Sequence, residues 1–170
     1  MSLEEYVEKA KAAYEQGMGL INEMSGWTKF TEGNGIVIYY KAPENSDLRS
    51  IKVDYYVDRP CTEVAKYCFH NYHDLNMEFS PGDFEYFRIR EKLNENMHIH
   101  DVAINSIGPI NGRELQTVGI LLELGDDNYA EVGTSINMDR PVREGYVEAV
   151  LSYGVTLYEP VINDANRTHC

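Results

Sequence analysis

Residues 97–138 have the sequence MHIHDVAINSIGPINGRELQTVGILLELGDDNYAEVGTSINM. Apolar and polar residues alternate over about 97–105, 113–124 and 129–138, which is typical of strands. Asn111-Gly112 and Gly125 to Asn128 are turn signals, so consecutive strands are joined by hairpins without crossover helices. This stretch therefore predicts an antiparallel sheet and a fold of the α+β class.

Further strands are predicted on both sides of this stretch. Upstream, Gly35 to Tyr40 and Ser50 to Val57 alternate and are rich in isoleucine, valine and tyrosine. A further strand is predicted near 84–93, just before this stretch. After it, a strand is predicted near 147–158, and Arg167 to Cys170 begin another. The expected sheet has about eight or nine strands.

Two helices are predicted to precede the main run of strands. Ser2 followed by Glu5 forms a capping box, and a helix is predicted from about Leu3 to Met24. Its apolar stripe consists of Leu3, Val7, Ala10, Tyr14, Met18, Ile21 and Met24. A short helix opened by Pro60 has a buried stripe of Cys61, Val64, Ala65 and Cys68. An irregular stretch with His70, Tyr72, His73 and Pro81 is predicted to follow.

Composition indicates one soluble domain spanning residues 1–170. The chain has 43% apolar residues, and 15 basic against 28 acidic residues give a formal charge of −13. This charge argues against nucleic acid as a partner. Neither a long apolar run nor a signal-peptide pattern occurs in the sequence, so a cytoplasmic location is predicted. Three cysteines, an odd number, indicate reduced thiols.

Motifs of known enzymes are absent from the sequence. There is no Gly-x-Ser-x-Gly elbow, phosphate-binding glycine loop or metalloprotease helix, so no catalytic residue and no cofactor are predicted. His98 and His100 lie two apart on a strand and share a face, as two metal ligands do. A third ligand cannot be named, so no metal site is predicted.

The order of elements resembles the START family of lipid-transfer domains over nearly the whole chain. Matching pieces include Trp27, the strand Gly35-Ile36-Val37-Ile38-Tyr39-Tyr40, and Val57-Asp58-Arg59-Pro60 before the short helix. Arg113-Glu114 stands where the family commonly has Arg-Asp-Phe. The late segment from Gly145 to Ala149, followed by Gly154 and Tyr158-Glu159-Pro160, is also similar.

The resemblance implies a helix-grip fold, in which a curved antiparallel sheet wraps around a long carboxy-terminal helix. A tunnel between sheet and helix takes one lipid. Only Arg167 to Cys170 follow the last turn here, so the closing helix is expected to be missing and the START-like domain to be truncated at its C-terminus. An uncovered apolar face would be prone to association.

The resemblance also implies three rows of side chains that face the cavity. They are Arg113, Leu115, Thr117, Gly119 and Leu121; His98, His100, Val102 and Ile104; and Ala149, Leu151, Tyr153, Val155 and Leu157. From these rows the expected ligand-binding residues are His98, His100, Val102, Ile104, Arg113, Leu115, Thr117, Leu151, Tyr153 and Val155. Tyr153, His100 and Arg113 are the candidates for orienting the polar head. For Arg113, an ion pair that braces the strand end is an equal alternative.

Two ligand signatures of the family are not retained. Sterol-carrying relatives have a carboxylate and an arginine where this chain has about His100 and Gly119. Phosphatidylcholine-carrying relatives surround the choline with aromatic residues at positions matching Val102, Leu115 and Tyr153, of which only the last is aromatic. The lipid class therefore stays open among phospholipid, sterol and fatty-acyl lipids.

The predicted function is non-enzymatic binding and transfer of a single lipid, with transient membrane contact. Arg88, Arg90 and Lys92 alternate on one strand and either form a small basic docking face or are solvated charges. One alternative is a cyclase or hydrolase on the same scaffold, with His98, His100 or Asp101 as acid–base groups. The other is a lipid-sensing interaction module.

Overall fold

The structure is a computed structural model that describes residues 1–23, 25–42 and 49–170. Within them lie two helices and eleven strands. In chain order these are α1 (Leu3–Asn22), β1 (Thr28–Gly33), β2 (Ile36–Lys41), β3 (Ser50–Asp54), β4 (Tyr56–Val57), α2 (Cys61–Phe79), β5 (Phe84–Asn94), β6 (Met97–Ile104), β7 (Gly112–Gly125), β8 (Asn128–Ile136), β9 (Tyr146–Glu148), β10 (Gly154–Val161) and β11 (Asp164–His169).

The strands form two sheets, and the predicted antiparallel α+β architecture is confirmed. A three-stranded sheet has the order β1-β2-β3. An eight-stranded sheet has the order β4-β11-β10-β8-β7-β6-β5, and short β9 pairs with β7. The β7–β9 pairing is parallel, whereas all the other named strand pairs are antiparallel.

The predicted strand from Ser50 to Val57 is divided between the two sheets. Its first part, β3, pairs with β2, whereas β4 pairs with β11. Between them, the backbone of Tyr55 exchanges two hydrogen bonds of 3.0 and 2.9 Å with Cys170. Local alternation is continuous through this run, so only the distant partners reveal the change of sheet.

The predicted strand over 147–158 is also divided. β9 follows β7, and the chain then crosses irregularly to β8, where β10 begins at Gly154. Two backbone bonds guide this crossing: Ala149 N donates to Glu114 O at 2.8 Å, and Ser135 N donates to Leu151 O at 2.9 Å. The irregular residues 149–153 interrupt the period of two on which face assignments depend.

The capping box of α1 is confirmed. Ser2 Oγ accepts a hydrogen bond from Glu5 N at 3.3 Å, and the Ser2 amide donates to the Glu5 carboxylate at 2.6 Å. The helix ends at Asn22, and Met24 lies outside the described residues. Its buried residues are Ala10, Ala13 and Gly17, so small side chains let α1 lie close to the sheet.

Helix α2 is longer than the predicted short helix, and the irregular stretch predicted after it is wrong. The predicted stripe is present, because Cys61, Val64 and Ala65 are buried. The helix continues through His70, Tyr72 and His73 to Phe79. Phe69, buried at 2% exposure, extends the apolar stripe by one turn and packs this half of α2 on the sheet.

The eight-stranded sheet separates two apolar cores. The core between α1 and the sheet includes Ile99, Val118 and Val132. The core between α2 and the sheet includes Phe69, Leu121 and Tyr158. Because successive strand residues point to opposite faces, each buried strand contributes side chains to both cores.

Candidate functional site

The first two predicted rows lie side by side on the sheet face that α2 covers. In the register of β6 and β7, His98 pairs with Gly119, His100 with Thr117, Val102 with Leu115, and Ile104 with Arg113. Phe69 of α2 stacks on His98 with 4.7 Å between ring centroids. The shared face predicted for these rows is confirmed.

The third predicted row does not share that face, and this part of the prediction is wrong. Val155 and Leu157 pack with the core under α1. A Cβ added to Gly17 of α1 would lie 2.5 Å from Val155 and 3.7 Å from Tyr153. Leu151, by contrast, lies near Gly133 on the α2 side. The irregular segment 149–153 shifts the alternation, so the row is split between the two faces.

Four histidines form a cluster between α2 and β6, which we call the histidine cluster: His70, His73, His98 and His100. Ring centroids lie 5.8 Å apart for His70 and His98, and 6.0 Å apart for His98 and His100. His98 is 1% exposed and His100 is 5% exposed. Gly119 makes room for this arrangement, because a Cβ there would lie 2.9 Å from the His100 ring.

Burial keeps the two strand histidines uncharged. It lowers the pKa of both His98 and His100 to about 4, and neighbouring imidazoles add to the shift. Among the described residues, His98 Nδ1, His100 Nε2 and His73 Nδ1 have no hydrogen-bond partner. The sequence predicted that His98 and His100 share a face. It did not predict that His70 and His73 join them, because the helix that carries these two residues was expected to be short.

A partly buried acid on the same sheet face was missed by sequence reasoning. Glu131 of β8 accepts a hydrogen bond of 2.9 Å from the hydroxyl of buried Tyr158. Burial raises the pKa of Glu131 to about 7, although the hydrogen bond from Tyr158 opposes this shift. The sequence signal was a glutamate between the apolar residues Ala130 and Val132 of a predicted strand. Because successive strand residues point to opposite faces, a glutamate there is ordinarily expected to face solvent.

A cavity of about 400 Å³ lies between α1, β3 and β10, and we call it the α1–β3–β10 cavity. Its apolar wall includes Leu20, Ile21, Trp27, Val53, Val155 and Leu157. The indole Nε1 of Trp27 donates to the backbone oxygen of Leu20 at 3.3 Å, which holds the ring against the end of α1. Of the predicted ligand-binding residues, Tyr153 and Val155 line this cavity.

Charged side chains also line the cavity. Lys52 and Asp54 form an ion pair of 3.2 Å. Glu159 lies 3.4 Å from the imidazole of His169. Such an apolar wall with a few polar groups is the usual composition of a small-molecule site.

The three predicted head-group residues lie in three different places, so they do not act together. Tyr153 lines the α1–β3–β10 cavity, and His100 belongs to the histidine cluster. The guanidinium of Arg113 donates to the backbone oxygens of Asn111 and Gly112 at 2.6 and 3.4 Å. Arg113 therefore stabilises the turn before β7. It does so through hydrogen bonds to the backbone, and not through the ion pair considered from the sequence.

Two further findings concern the described residues, 1–23, 25–42 and 49–170. No three histidine, cysteine, aspartate or glutamate side chains in them are arranged to hold a metal ion. Neither helix in the same part of the chain is both long and apolar enough to span a membrane.

Comparison with known proteins finds similarity at the level of structure. No protein-family model matches the sequence, and no curated protein does so either. Human StAR-related lipid transfer protein 5 superposes with a TM-score of 0.76 at 15% identity, covering 99% of this chain and 80% of that one. Human STARD10 has a TM-score of 0.71 at 16% identity, over 92% of this chain and 62% of that one.

A bacterial structure is similar as well. A fragment of the STAR-related lipid transfer protein from Xanthomonas axonopodis has a TM-score of 0.70 at 18% identity, covering 86% of this chain and 80% of that one. The chain thus has the α+β helix-grip fold of the StAR-related lipid transfer (START) domains, as the sequence resemblance implied.

Proposed function

We propose that residues 1–170 form a single lipid-binding domain that carries one lipid in the α1–β3–β10 cavity. The observation that carries this proposal is the apolar wall of that cavity, whose volume of about 400 Å³ lies within the usual range for ligand pockets. Each Å² of apolar lipid surface that leaves water contributes about 25 cal/mol. The fold shared with proteins named for lipid transfer supports the same function.

We further propose that transfer includes transient contact with membranes and takes place in the cytoplasm. Arg88 pairs with Asp101 at 3.3 Å and Arg90 pairs with Asp139, so these arginines are not a free basic face. The chain has a formal charge of −13, so its docking on membranes relies on apolar contact more than on attraction to anionic lipids. The three free thiols, Cys61, Cys68 and Cys170, are compatible with a reducing compartment.

We favour a carrier over an enzyme because the proposed acid–base groups do not assemble. His98 and His100 lie under α2, on the sheet face opposite Asp101. Asp101 is held there by Gln116 at 2.9 Å and by Arg88 at 3.3 Å. A general acid and base must both reach the substrate, so Asp101 does not act together with the two histidines, which face the other core.

The test is a comparison of two charge insertions in binding and vesicle-transfer assays. Val53→Asp places a carboxylate on the cavity wall at a residue that is 40% exposed, so the variant is expected to fold. We expect at least about a tenfold loss of co-purifying lipid and of transfer, because a lipid chain would then meet a charge. Val147→Asp, at a 46% exposed residue of β9, is the matched control and should behave as wild type.

Three outcomes would overturn the carrier proposal. A wild-type protein that retains no lipid would remove its basis. Equal transfer by Val53→Asp and wild type would show that the lipid does not bind in this cavity. Retained binding without any transfer between vesicles would identify a lipid sensor instead of a carrier.

A further inference from the structure

Two lysines at the α1–β3–β10 cavity are already paired with carboxylates. Lys52, on the wall, lies 3.2 Å from Asp54. Lys41, whose ammonium lies 6.0 Å from the Trp27 ring, is 2.5 Å from a carboxylate oxygen of Glu23. Neither lysine therefore offers an unbalanced positive charge to a ligand.

One carboxylate at the cavity lacks such a permanent counterion among the described residues. Glu159 lies 3.4 Å from His169, an imidazole that carries charge only when protonated. Arg167, the nearby cation of β11, is directed elsewhere, since it lies 3.3 Å from Asp58 and over the ring of Tyr56. Apart from His169, the charged side chains of the described residues that line the cavity are Lys52, Asp54 and Glu159, which is one more carboxylate than cations.

Aromatic rings next to the cavity already accommodate ammonium groups. Lys41 faces Trp27 at 6.0 Å and Lys52 faces Tyr39 at 4.8 Å. The wall adds Tyr153, which packs on the α1 side of the sheet. The negative faces of aromatic rings attract cations, and this attraction is stronger where water is partly excluded.

We propose that the ligand of the α1–β3–β10 cavity has a positively charged polar end, an ammonium group on an apolar chain, which Glu159 recognises at the cavity wall. This inference rests on the proposed lipid-binding function and specifies its ligand. A phosphate or carboxylate head would be repelled by the Glu159 carboxylate. An ammonium head would gain an opposite charge and neighbouring aromatic faces.

The test compares three single-chain probes that differ only in their head: hexadecylamine, hexadecanol and palmitate. Binding is followed through the fluorescence of Trp27, the single tryptophan of the chain, which lines the cavity. At neutral pH and below the micellar concentration, we expect the amine to bind at least about tenfold more tightly than palmitate. In Glu159→Gln this ratio should fall to about threefold or less, with hexadecanol binding unchanged.

Glu148→Gln is the matched control, because Glu148 is an exposed carboxylate of β9 outside the cavity. It should retain the wild-type ratio of amine to palmitate. Equal or tighter binding of palmitate by wild type would overturn the ammonium ligand while leaving lipid binding intact. An equal change for all three probes in Glu159→Gln would show a merely structural role for Glu159 and would also overturn it. Failure of all three probes to bind would overturn the lipid-binding function itself.

Discussion

Gly17 shows how one residue sets the distance between α1 and the sheet. It is buried in the helix, and a Cβ at this position would lie 2.5 Å from Cγ2 of Val155. Gly19 lies on the exposed side of the same helix, and a Cβ added there would have no neighbouring atom within 4 Å. The two glycines therefore differ in packing but share a helical backbone.

Gly17→Ala is expected to lower the free energy of unfolding by about 1–3 kcal/mol, because overpacking outweighs the better helix propensity of alanine. Gly19→Ala, its control, should raise that free energy by about 0.5–1 kcal/mol. Urea unfolding measures both changes. Stabilisation of similar size by both variants would show that α1 does not pack closely on β10.

His98 and His100 make stability dependent on pH. Burial lowers their pKa values to about 4, so the folded protein takes up protons less readily than the unfolded chain. Their contribution is complete above about pH 6.5 and is lost as the pH falls toward 4, at up to about 1.4 kcal/mol per pH unit for each histidine. Glu131, whose pKa is raised to about 7, acts in the opposite direction between about pH 7 and 4.5.

His100→Gln is expected to remove roughly half of the histidine-dependent loss of stability between about pH 6.5 and 5. His70→Gln, at the exposed member of the histidine cluster, should change the pH dependence less than His100→Gln, because it removes only a lesser contribution to the lowered pKa of His98. Urea midpoints measured across this range report the change. An unaltered pH slope in His100→Gln would contradict a buried, uncharged His100.

One carboxylate connects β5, β7 and the segment between β8 and β9. Glu114 of β7 is 0% exposed and accepts hydrogen bonds from Tyr86 of β5 at 2.9 Å and from Arg140 at 3.0 Å. The backbone amide of Arg143 donates to it at 3.0 Å, and its guanidinium does so as well. Burial alone would raise the pKa of Glu114, but the hydrogen bonds from Arg140 and Arg143 hold it at about 2.

Glu114→Gln is expected to cost about 1.5–3 kcal/mol of unfolding free energy at neutral pH, because Arg140 and Arg143 lose a charged hydrogen-bond acceptor while both stay partly exposed. In wild type the contribution of this carboxylate is present above about pH 4.5 and is lost as the pH falls toward 2. Glu148→Gln on the adjacent β9 is the control and should cost little. Denaturant unfolding tests both, and a loss below about 1 kcal/mol in Glu114→Gln would refute the bracing role.

For the whole molecule, the two sheets differ in how well they are protected from solvent. All six residues of β1 are exposed. In contrast, β6 is buried along seven of its eight residues, and Val118 of β7 and Val132 of β8 are 0% exposed. Strands with little burial open at a lower free energy than strands within a core.

Hydrogen exchange should therefore be fastest in β1 and β2 and slowest in β7 and β8. A bound lipid chain should slow exchange in β3, which lines the α1–β3–β10 cavity, more than in β5, which does not. Mass spectrometry of peptides after exchange measures both effects. Equal protection of the two sheets would contradict the difference in burial.

Local patterns in the amino-acid sequence were enough to predict the class of fold and much of its local structure. Alternation in residues 97–138 predicted the hairpins, Ser2 and Glu5 predicted the start of α1, and the stripe from Cys61 to Cys68 predicted the buried side of α2. These features depend on neighbours within a few residues, where periodicity and capping act directly. The shared face of His98 and His100 follows from the same alternation.

How these elements meet became visible in the folded structure. It divided Ser50 to Val57 between two sheets and turned Tyr153 and Val155 toward α1. It also placed Glu131 beside Tyr158 and formed a cavity against Trp27. Each of these outcomes depends on partners distant along the chain, such as Cys170 for Tyr55 and Gly17 for Val155. Local periodicity carries no information about such partners, because packing and strand pairing are set by the whole folded chain.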